Sequence, residues 1–267
     1  MKRLTAISIL CLLCLPLYAV QSLVQSNEGG SAAFSGSFSG SGYSLASSSV
    51  GFTSPTTGGD FLLLVYSVNF TYGTPQSVAC TATVSTSGFS WSSIFGSAWS
   101  DSIGHCGRAG IVFINNASSM NVPTTVTALL GNSGGSVTAA NVEFQLYEFS
   151  GINSTTYDAF SGITYDSATP AIPAPPVSLT TTATDLVFTV YGGLIGQSNI
   201  AAGSGYTLGI NSTVANPAQF QYSLNVAPGS YAASFGGAST YWNCIAMAFK
   251  GSGGTPTPVP RHRGFVN

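Results

Sequence analysis

Apolar residues recur along this chain in short dense runs, not at helical spacing. Runs rich in Val, Ile, Leu, Phe and Tyr cover positions 61–70, 78–84, 110–115, 125–130 and 142–149. Six more follow at 177–181, 186–191, 206–210, 220–226, 231–235 and 242–249. Clusters of Gly, Pro, Asn and Ser separate them, as between the short strands of an all-β fold. No segment carries a capped 3.6-residue apolar stripe, so helix content is expected to be close to nil. Residues 21–50 are Ser/Gly-rich, with Phe34, Phe38, Tyr43, Leu45 and Val50 spaced through them. That stretch reads as a loose linker or as one or two irregular strands. Its aromatic residues favour strands from about Phe38 onward.

The runs also repeat. Gly-Asp60-Phe-Leu-Leu-Leu-Val-Tyr resembles Thr-Asp185-Leu-Val-Phe-Thr-Val-Tyr, and Ser-Gly88-Phe-Ser-Trp resembles Ser-Gly205-Tyr-Thr-Leu. Residues 142–151, ending Glu-Phe-Ser-Gly, resemble residues 242–251, ending Ala-Phe-Lys-Gly. The order is the same both times. A half-set would leave an apolar face in water, and two halves packed face to face would bury it. The expected fold is therefore all-β: a single antiparallel β-sandwich, jelly-roll or Ig-like, spanning residues 20–250. Its pseudo-repeated halves are about 50–152 and 177–250.

Both ends read as something other than fold. Lys2 and Arg3 precede an apolar run over residues 4–17, and Ala19 offers a small residue for cleavage. This is the pattern of a secretory signal peptide over residues 1–19, and the run is short for a membrane span of about 20 residues. Neither Cys11 nor Cys14 follows a small residue, which argues against lipoprotein-type cleavage. Residues 251–260 form a Gly/Pro linker ahead of a short tail to residue 267, with no apolar anchor in it. The protein is thus expected outside the cell or on its surface, with no membrane span after cleavage.

Charge narrows the partners. Only 5% of residues are charged, against about a quarter in an ordinary soluble domain. Beyond residue 19, four basic residues face eight acidic ones, a net charge of −4. With no cluster of Lys and Arg to neutralise phosphates, nucleic acid is excluded as a partner. Hydroxyl and amide groups are left to form most of the polar surface.

Candidate chemistry is sparse. Of the three cysteines after residue 19, Cys80 and Cys106 flank one compact segment and are the preferred disulfide pair. Cys244 lies in an apolar run and reads as a small buried hydrophobe. Asp101, His105 and Cys106 could be read as a nucleophile, base and carboxylate. They lie within six residues, however, whereas catalytic triads are assembled from separate elements, and strand alternation sends neighbours to opposite faces. No catalytic residues are assigned. The folded region has one histidine and no zinc spacing, so neither a metal nor a cofactor is expected. Asp158 and Asp166 read as ordinary surface carboxylates, and no pair of acids is marked for glycoside hydrolysis. Sequons occur at Asn69, Asn116, Asn153 and Asn211.

A resemblance adds to this. Val20-Gln21-Ser22, Gly59-Asp60-Phe-Leu-Leu63, Tyr147-Glu-Phe-Ser-Gly-Ile152, Leu179-Thr-Thr-Thr182, Asp185-Leu-Val187, Ala202-Gly-Ser-Gly-Tyr-Thr207 and Ala248-Phe-Lys250 occur in that order. Together they resemble a β-sandwich domain of unknown function common in secreted bacterial proteins, over about residues 20–251. The chain departs from that pattern between Cys80 and Cys106, where cysteines and tryptophans replace an Asp-Gly-Asn turn. The resemblance implies secretion and a sandwich, and it brings no catalytic residues.

Aromatic residues carry the binding expectation. Phe89 and Trp91 alternate onto one face of a short strand, and Trp99 follows in a Ser/Gly loop; the alternative is that these rings are sandwich core. Sugar rings stack on exposed indoles while hydroxyls and amides fix orientation. Trp91, Trp99 and Asp101 are accordingly the expected ligand-binding residues. The leading functional expectation is a non-catalytic binding or adhesion module for polysaccharide or a cell-surface ligand. The alternative is a structural subunit of an extracellular filament or sheath. There, low charge would permit self-association, and the N-terminal segment would add to a neighbour's sheet edge. A hydrolase ranks third.

Overall fold

The structure, a computed structural model, describes residues 20–29, 36–38, 43–72, 80–93, 95–100, 104–115, 117–130, 135–153, 155, 157–171, 177–193, 202–211, 218–233 and 239–252. The expected signal peptide at 1–19 and the tail beyond residue 252 lie outside them, as does Asp101. Within them the chain is an all-β sandwich of antiparallel sheets, none closed into a barrel. No helix among these residues is long and apolar enough to cross a membrane.

The strands in chain order are β1 (Ser22–Gly29), β2 (Gly36–Phe38), β3 (Tyr43–Val50), β4 (Phe61–Tyr72), β5 (Cys80–Thr86), β6 (Phe95–Ser100), β7 (His105–Ile114) and β8 (Thr124–Leu130). They continue as β9 (Gly135–Ser150), β10 (Ala159–Ala171), β11 (Val177–Thr181), β12 (Asp185–Gly193), β13 (Thr207–Asn211), β14 (Ala218–Val226), β15 (Gly229–Ala233) and β16 (Ser239–Lys250). Two large sheets form the centre. One has the order β1-β9-β4-β7-β6, with β2 also on β9, and the other β10-β16-β12-β14-β13. A three-stranded sheet, β3-β8-β5, and a two-stranded one, β11-β15, complete the set.

Alternation along the strands sets the layers. Phe61, Leu63 and Val65 of β4 join Ile111 of β7 and Tyr147 and Phe149 of β9 on one side of their sheet. There they meet Leu186, Phe188 and Val190 of β12, Phe220 of β14, and Ile245, Met247 and Phe249 of β16. The intervening residues Leu64, Tyr66, Val68 and Phe70 point the other way, against Cys80 and Ala82 of β5 and Val126 and Ala128 of β8. In the second large sheet, Val187, Trp242 and Cys244 likewise meet Val177 and Leu179 of β11. The stack is therefore four layers deep, and central strands are covered on both faces. This explains why 61–70 and 185–193 read as unbroken apolar runs: every residue in both is buried, as in sheets covered on two sides.

The phrases that recur in the sequence have definite places here. Asp60 and Asp185 stand at the starts of β4 and β12, each third in its sheet order, and Phe149 and Phe249 pair with Phe61 and Leu186 near the ends of β9 and β16. Gly88 and Gly205 both occupy turns at positive φ, 78° and 82°, where a side chain would be strained.

Three strands were not read from the sequence. β1 begins at Ser22, well before Phe38, and pairs with β9 in the same chain from Ser22↔Ser150 to Gly29↔Phe144. Its entry is held by Gln21, which is buried although Val20 beside it is exposed. Gln21 N–H donates to Asn225 Oδ1 (3.0 Å), Asn225 N–H to Gln21 Oε1 (2.9 Å), and Asn225 Nδ2 to the Gln21 carbonyl (3.0 Å). Asn225 adopts φ 55° to make this clamp, which ties the start of the chain to the second large sheet. β6 and β10 are sheet edges. A further correction concerns Phe89 and Trp91, which do not share a strand. Residues 87–88 turn, Phe89 makes an isolated bridge to Thr86, and Trp91 follows in a loop.

Cys80 and Cys106 are joined, with Cα atoms 5.9 Å apart, linking β5 of the outer sheet to β7 of the inner one. Cys244 is a buried free thiol. Replacing Cys80 and Cys106 together by alanine is expected to cost about 3 kcal/mol, the usual value for a loop of this order. The loss should show as a lower urea midpoint with an unchanged far-ultraviolet spectrum.

Candidate binding site

Trp91 is half-buried, packing on both the β4–β5–β8 core and a small cluster with Leu62 and Met120. Its indole Nε1 donates to Thr86 Oγ1 at 2.9 Å, and that hydroxyl lies 2.7 Å from Thr124 Oγ1. With its one polar atom committed internally, the ring serves packing, as amphipathic aromatics do when a partner is at hand. Trp99 lies in β6 with its Cα opposite Gly107, and its side chain is outside the described residues, as is Asp101. His105 opens β7, and the Cys106 sulfur beside it is taken by the disulfide. Trp242, by contrast, is fully buried, as expected.

Among the described residues, the most exposed rings are elsewhere. Tyr157 is 40% exposed and Phe160 38%. Phe95 of β6 lies against both, at 4.9 Å from Tyr157 edge-on and 5.9 Å from Phe160 between ring centroids. Phe95 in turn stacks on Phe113 (6.1 Å), which meets Phe249 (5.1 Å) and Phe61 (5.6 Å) in the core. The outer pair thus rests on a ladder of rings that extends into the inter-sheet core. It sits where the edge strands β6 and β10 come together, and the loop from β9 to β10 supplies Tyr157.

The same loop lines an open cleft of about 470 Å³. Asn115, Asn153, Thr155 and Ser252 present amide and hydroxyl groups there, Gly59 and Gly151 present backbone, and Ile152 adds an apolar surface. Backbone bonds fix the walls: Ser252 N–H donates to the Gly151 carbonyl (2.8 Å) and Gly59 N–H to that of Ala117 (2.8 Å). Gly151 is required twice over. Its φ is 72°, and a Cβ would stand 2.7 Å from the Val20 carbonyl oxygen. Of the sequons, Asn153 is exposed at the cleft, while Asn69 is buried in β4.

Two groups of carboxyls lie near strand ends. Glu148 is fully buried and accepts bonds from Gln25 Nε2 (2.6 Å) and the Thr57 backbone N–H (2.5 Å). Burial, with Glu148 beside it, pushes the Asp60 carboxyl above its usual range. In the second large sheet, Asp158 and Asp185 face each other near Lys250. Asp158 is not the isolated surface carboxylate expected: its side chain is 4% exposed, and its Oδ1 lies 3.0 Å from Lys250 Nζ. Asp185 is wholly buried. Burial first, then the Asp158 carboxyl, raise its pKa to about 7. Among the described residues, no three His, Cys, Asp or Glu side chains are grouped to hold a metal ion.

Tyr157, Phe160 and Asn153, which form this candidate site, are not among the ligand-binding residues expected from the sequence. The available signal was two aromatics three apart in a polar Asn-Ser-Thr-Thr-Tyr-Asp-Ala-Phe connection. Compared with protein-family models, curated proteins and solved structures, the chain matches none.

Proposed function

We propose that the protein is a secreted or cell-surface, non-catalytic binding module for carbohydrate. In this reading a sugar ring lies on Tyr157 and Phe160, and its hydroxyls bond to the neutral amides and hydroxyls of the adjoining cleft. The supporting observation is the exposed ring pair, Tyr157 on the same loop as Asn153 and Thr155 and Phe160 at the start of β10. Aromatic faces take the apolar side of a sugar, and a few fixed polar groups set its orientation. The scarcity of charge suits a neutral ligand. The expected signal peptide and the resemblance read from the sequence support a role outside the cell. Trp91 belongs to the support of the outer sheet in this reading, not to the contact surface.

The test is retention of the protein on insoluble polysaccharides and intact cells, with Tyr157→Ala and Phe160→Ala beside wild type. Each substitution is expected to weaken retention roughly tenfold, the equivalent of one lost ring contact of about 1.4 kcal/mol. Neither should move the melting temperature by more than a degree or two. Trp91→Ala should instead lower the melting temperature and leave retention intact. Retention that survives loss of both outer rings would overturn the site.

A further inference from the structure

We propose that Lys250 and Asp158 cross-link themselves, the Lys250 Nζ condensing with the Asp158 carboxyl carbon to form an intramolecular amide, with Asp185 as the buried acid that moves the protons. Three strand ends bring the groups together. Lys250 closes β16, Asp185 opens β12 directly opposite it in register, and Asp158 lies just before β10 on the other side of β16. The Asp158 backbone N–H bonds to the Ala248 carbonyl at 2.7 Å, which pins the carboxyl beside Lys250. Nζ stands 3.0 Å from Oδ1, so the ion pair holds the amine beside the carboxyl group it would attack.

The surroundings suit the step. Thr182 donates its backbone N–H to Asp158 Oδ2 (2.5 Å) and its hydroxyl to Oδ1 (2.7 Å). These two donors fix the carboxyl and meet the charge that develops on its oxygens during addition. Asp185 is fully buried, and neither of its oxygens receives a hydrogen bond from an N–H or O–H donor. A buried carboxyl without donors keeps its proton, and the acceptor within reach of that proton is the Asp158 carboxyl.

Lys250 and Asp158 start as ammonium and carboxylate. The ammonium gives a proton to the Asp158 oxygen it faces, leaving a neutral amine against a neutral acid. The nitrogen lone pair forms the N–C bond, and the C–O bond breaks with its electron pair leaving on the hydroxyl. Asp185 protonates that hydroxyl, and the departing water carries the second proton of the nitrogen back to it. Ammonium and carboxylate have become amide and water, so no oxidant, metal or nucleotide is consumed. The product ties the last residue of β16 to the segment leading into β10. Tension on whatever follows residue 250 would then run through a covalent bond instead of peeling β16 from its sheet.

Trypsin reads the outcome directly, because an acylated lysine is not cleaved. In the purified full chain, the expected product is an uncut 109–261 peptide lighter by one water, and further digestion should give a branched fragment joining Lys250 to Asp158. Asp185→Asn, close to isosteric and neutral, should keep the native spectrum, restore the water and restore cleavage after Lys250. Lys250→Arg should restore the water as well. Cleavage after Lys250 with a 109–250 peptide of full mass, in folded wild type, overturns the proposal. So does a water loss that persists in Lys250→Arg, which would place the dehydration elsewhere.

Discussion

Phe61→Ala is expected to lower the unfolding free energy by about 3–5 kcal/mol, the range for truncating a buried phenylalanine. Phe61 is fully buried at the start of β4. Its ring lies 4.8 Å from Phe249 of the opposite sheet and 5.6 Å from Phe113, with Phe149 beside it in register. The neighbours are themselves held by strands on both sides, so they cannot collapse into the space, and the cavity term adds to the lost transfer energy. Against a total of about 5–15 kcal/mol for a folded domain, that is a fifth or more. The same core draws on both large sheets, so they should unfold together: circular dichroism and tryptophan fluorescence should give one coincident transition, at a lower midpoint. Phe160→Ala, partly exposed on the same aromatic ladder, should cost under about 1 kcal/mol by comparison. A Phe61→Ala midpoint close to wild type would mean that the two sheets do not meet as described.

How far the sequence discloses this molecule depends on where each strand's partners lie. Central strands declare themselves because both faces are covered: β4 and β12 are dense apolar runs, and their bounds match the sequence reading closely. Edge strands need much less apolar surface. β1 reads Ser-Leu-Val-Gln-Ser-Asn-Glu-Gly, and its place is fixed by ladder bonds to β9, by the Gln21–Asn225 clamp and by Gln25 on Glu148. None of those partners lies near it in sequence, so a polar stretch looked like a linker. The disulfide was legible since two cysteines bounding a compact segment are a local feature. The candidate aromatic site was not. Trp91 read from the sequence either as a ligand-binding ring or as sandwich core, and its indole bonds to Thr86 and packs on the outer sheet. Tyr157 and Phe160 gain their meaning only from Phe95, brought from another sheet edge. Asp158, Asp185 and Lys250 are likewise scattered along the chain and meet only because β10, β16 and β12 are neighbours.

Asp185 should give the protein a falling stability between about pH 4 and pH 7. Its folded pKa is about 7, raised chiefly by burial and then by the Asp158 carboxyl, against about 3.9 for an unfolded aspartate. Between those values the native state holds a proton that the unfolded state has released. The slope of unfolding free energy with pH is therefore negative there and levels off above pH 7. The full difference of about 3 pKa units is worth about 4 kcal/mol at 1.36 kcal/mol per unit, and about half that after solvent screening at a strand end. Asp158 works in the opposite sense at lower pH. Burial pushes its carboxyl up, but the Thr182 hydroxyl and N–H, Lys250 and Asp185 outweigh it and hold the pKa at about 2. Its contribution is present above about pH 4 and is lost as the pH falls toward 2. The two effects together place the maximum that this pair confers near pH 4. Melting temperatures measured from pH 3 to pH 9 on wild type and Asp185→Asn test the assignment. The variant has no carboxyl to ionise at this position, so the decline between pH 4 and pH 7 should flatten while the acid limb remains. The test holds whether or not Lys250 and Asp158 are joined, because burial is the largest cause of the Asp185 shift; joining them would remove the acid limb and leave the decline. Equal slopes in wild type and variant across pH 4–7 would show that Asp185 titrates normally and is not the buried acid of this strand end.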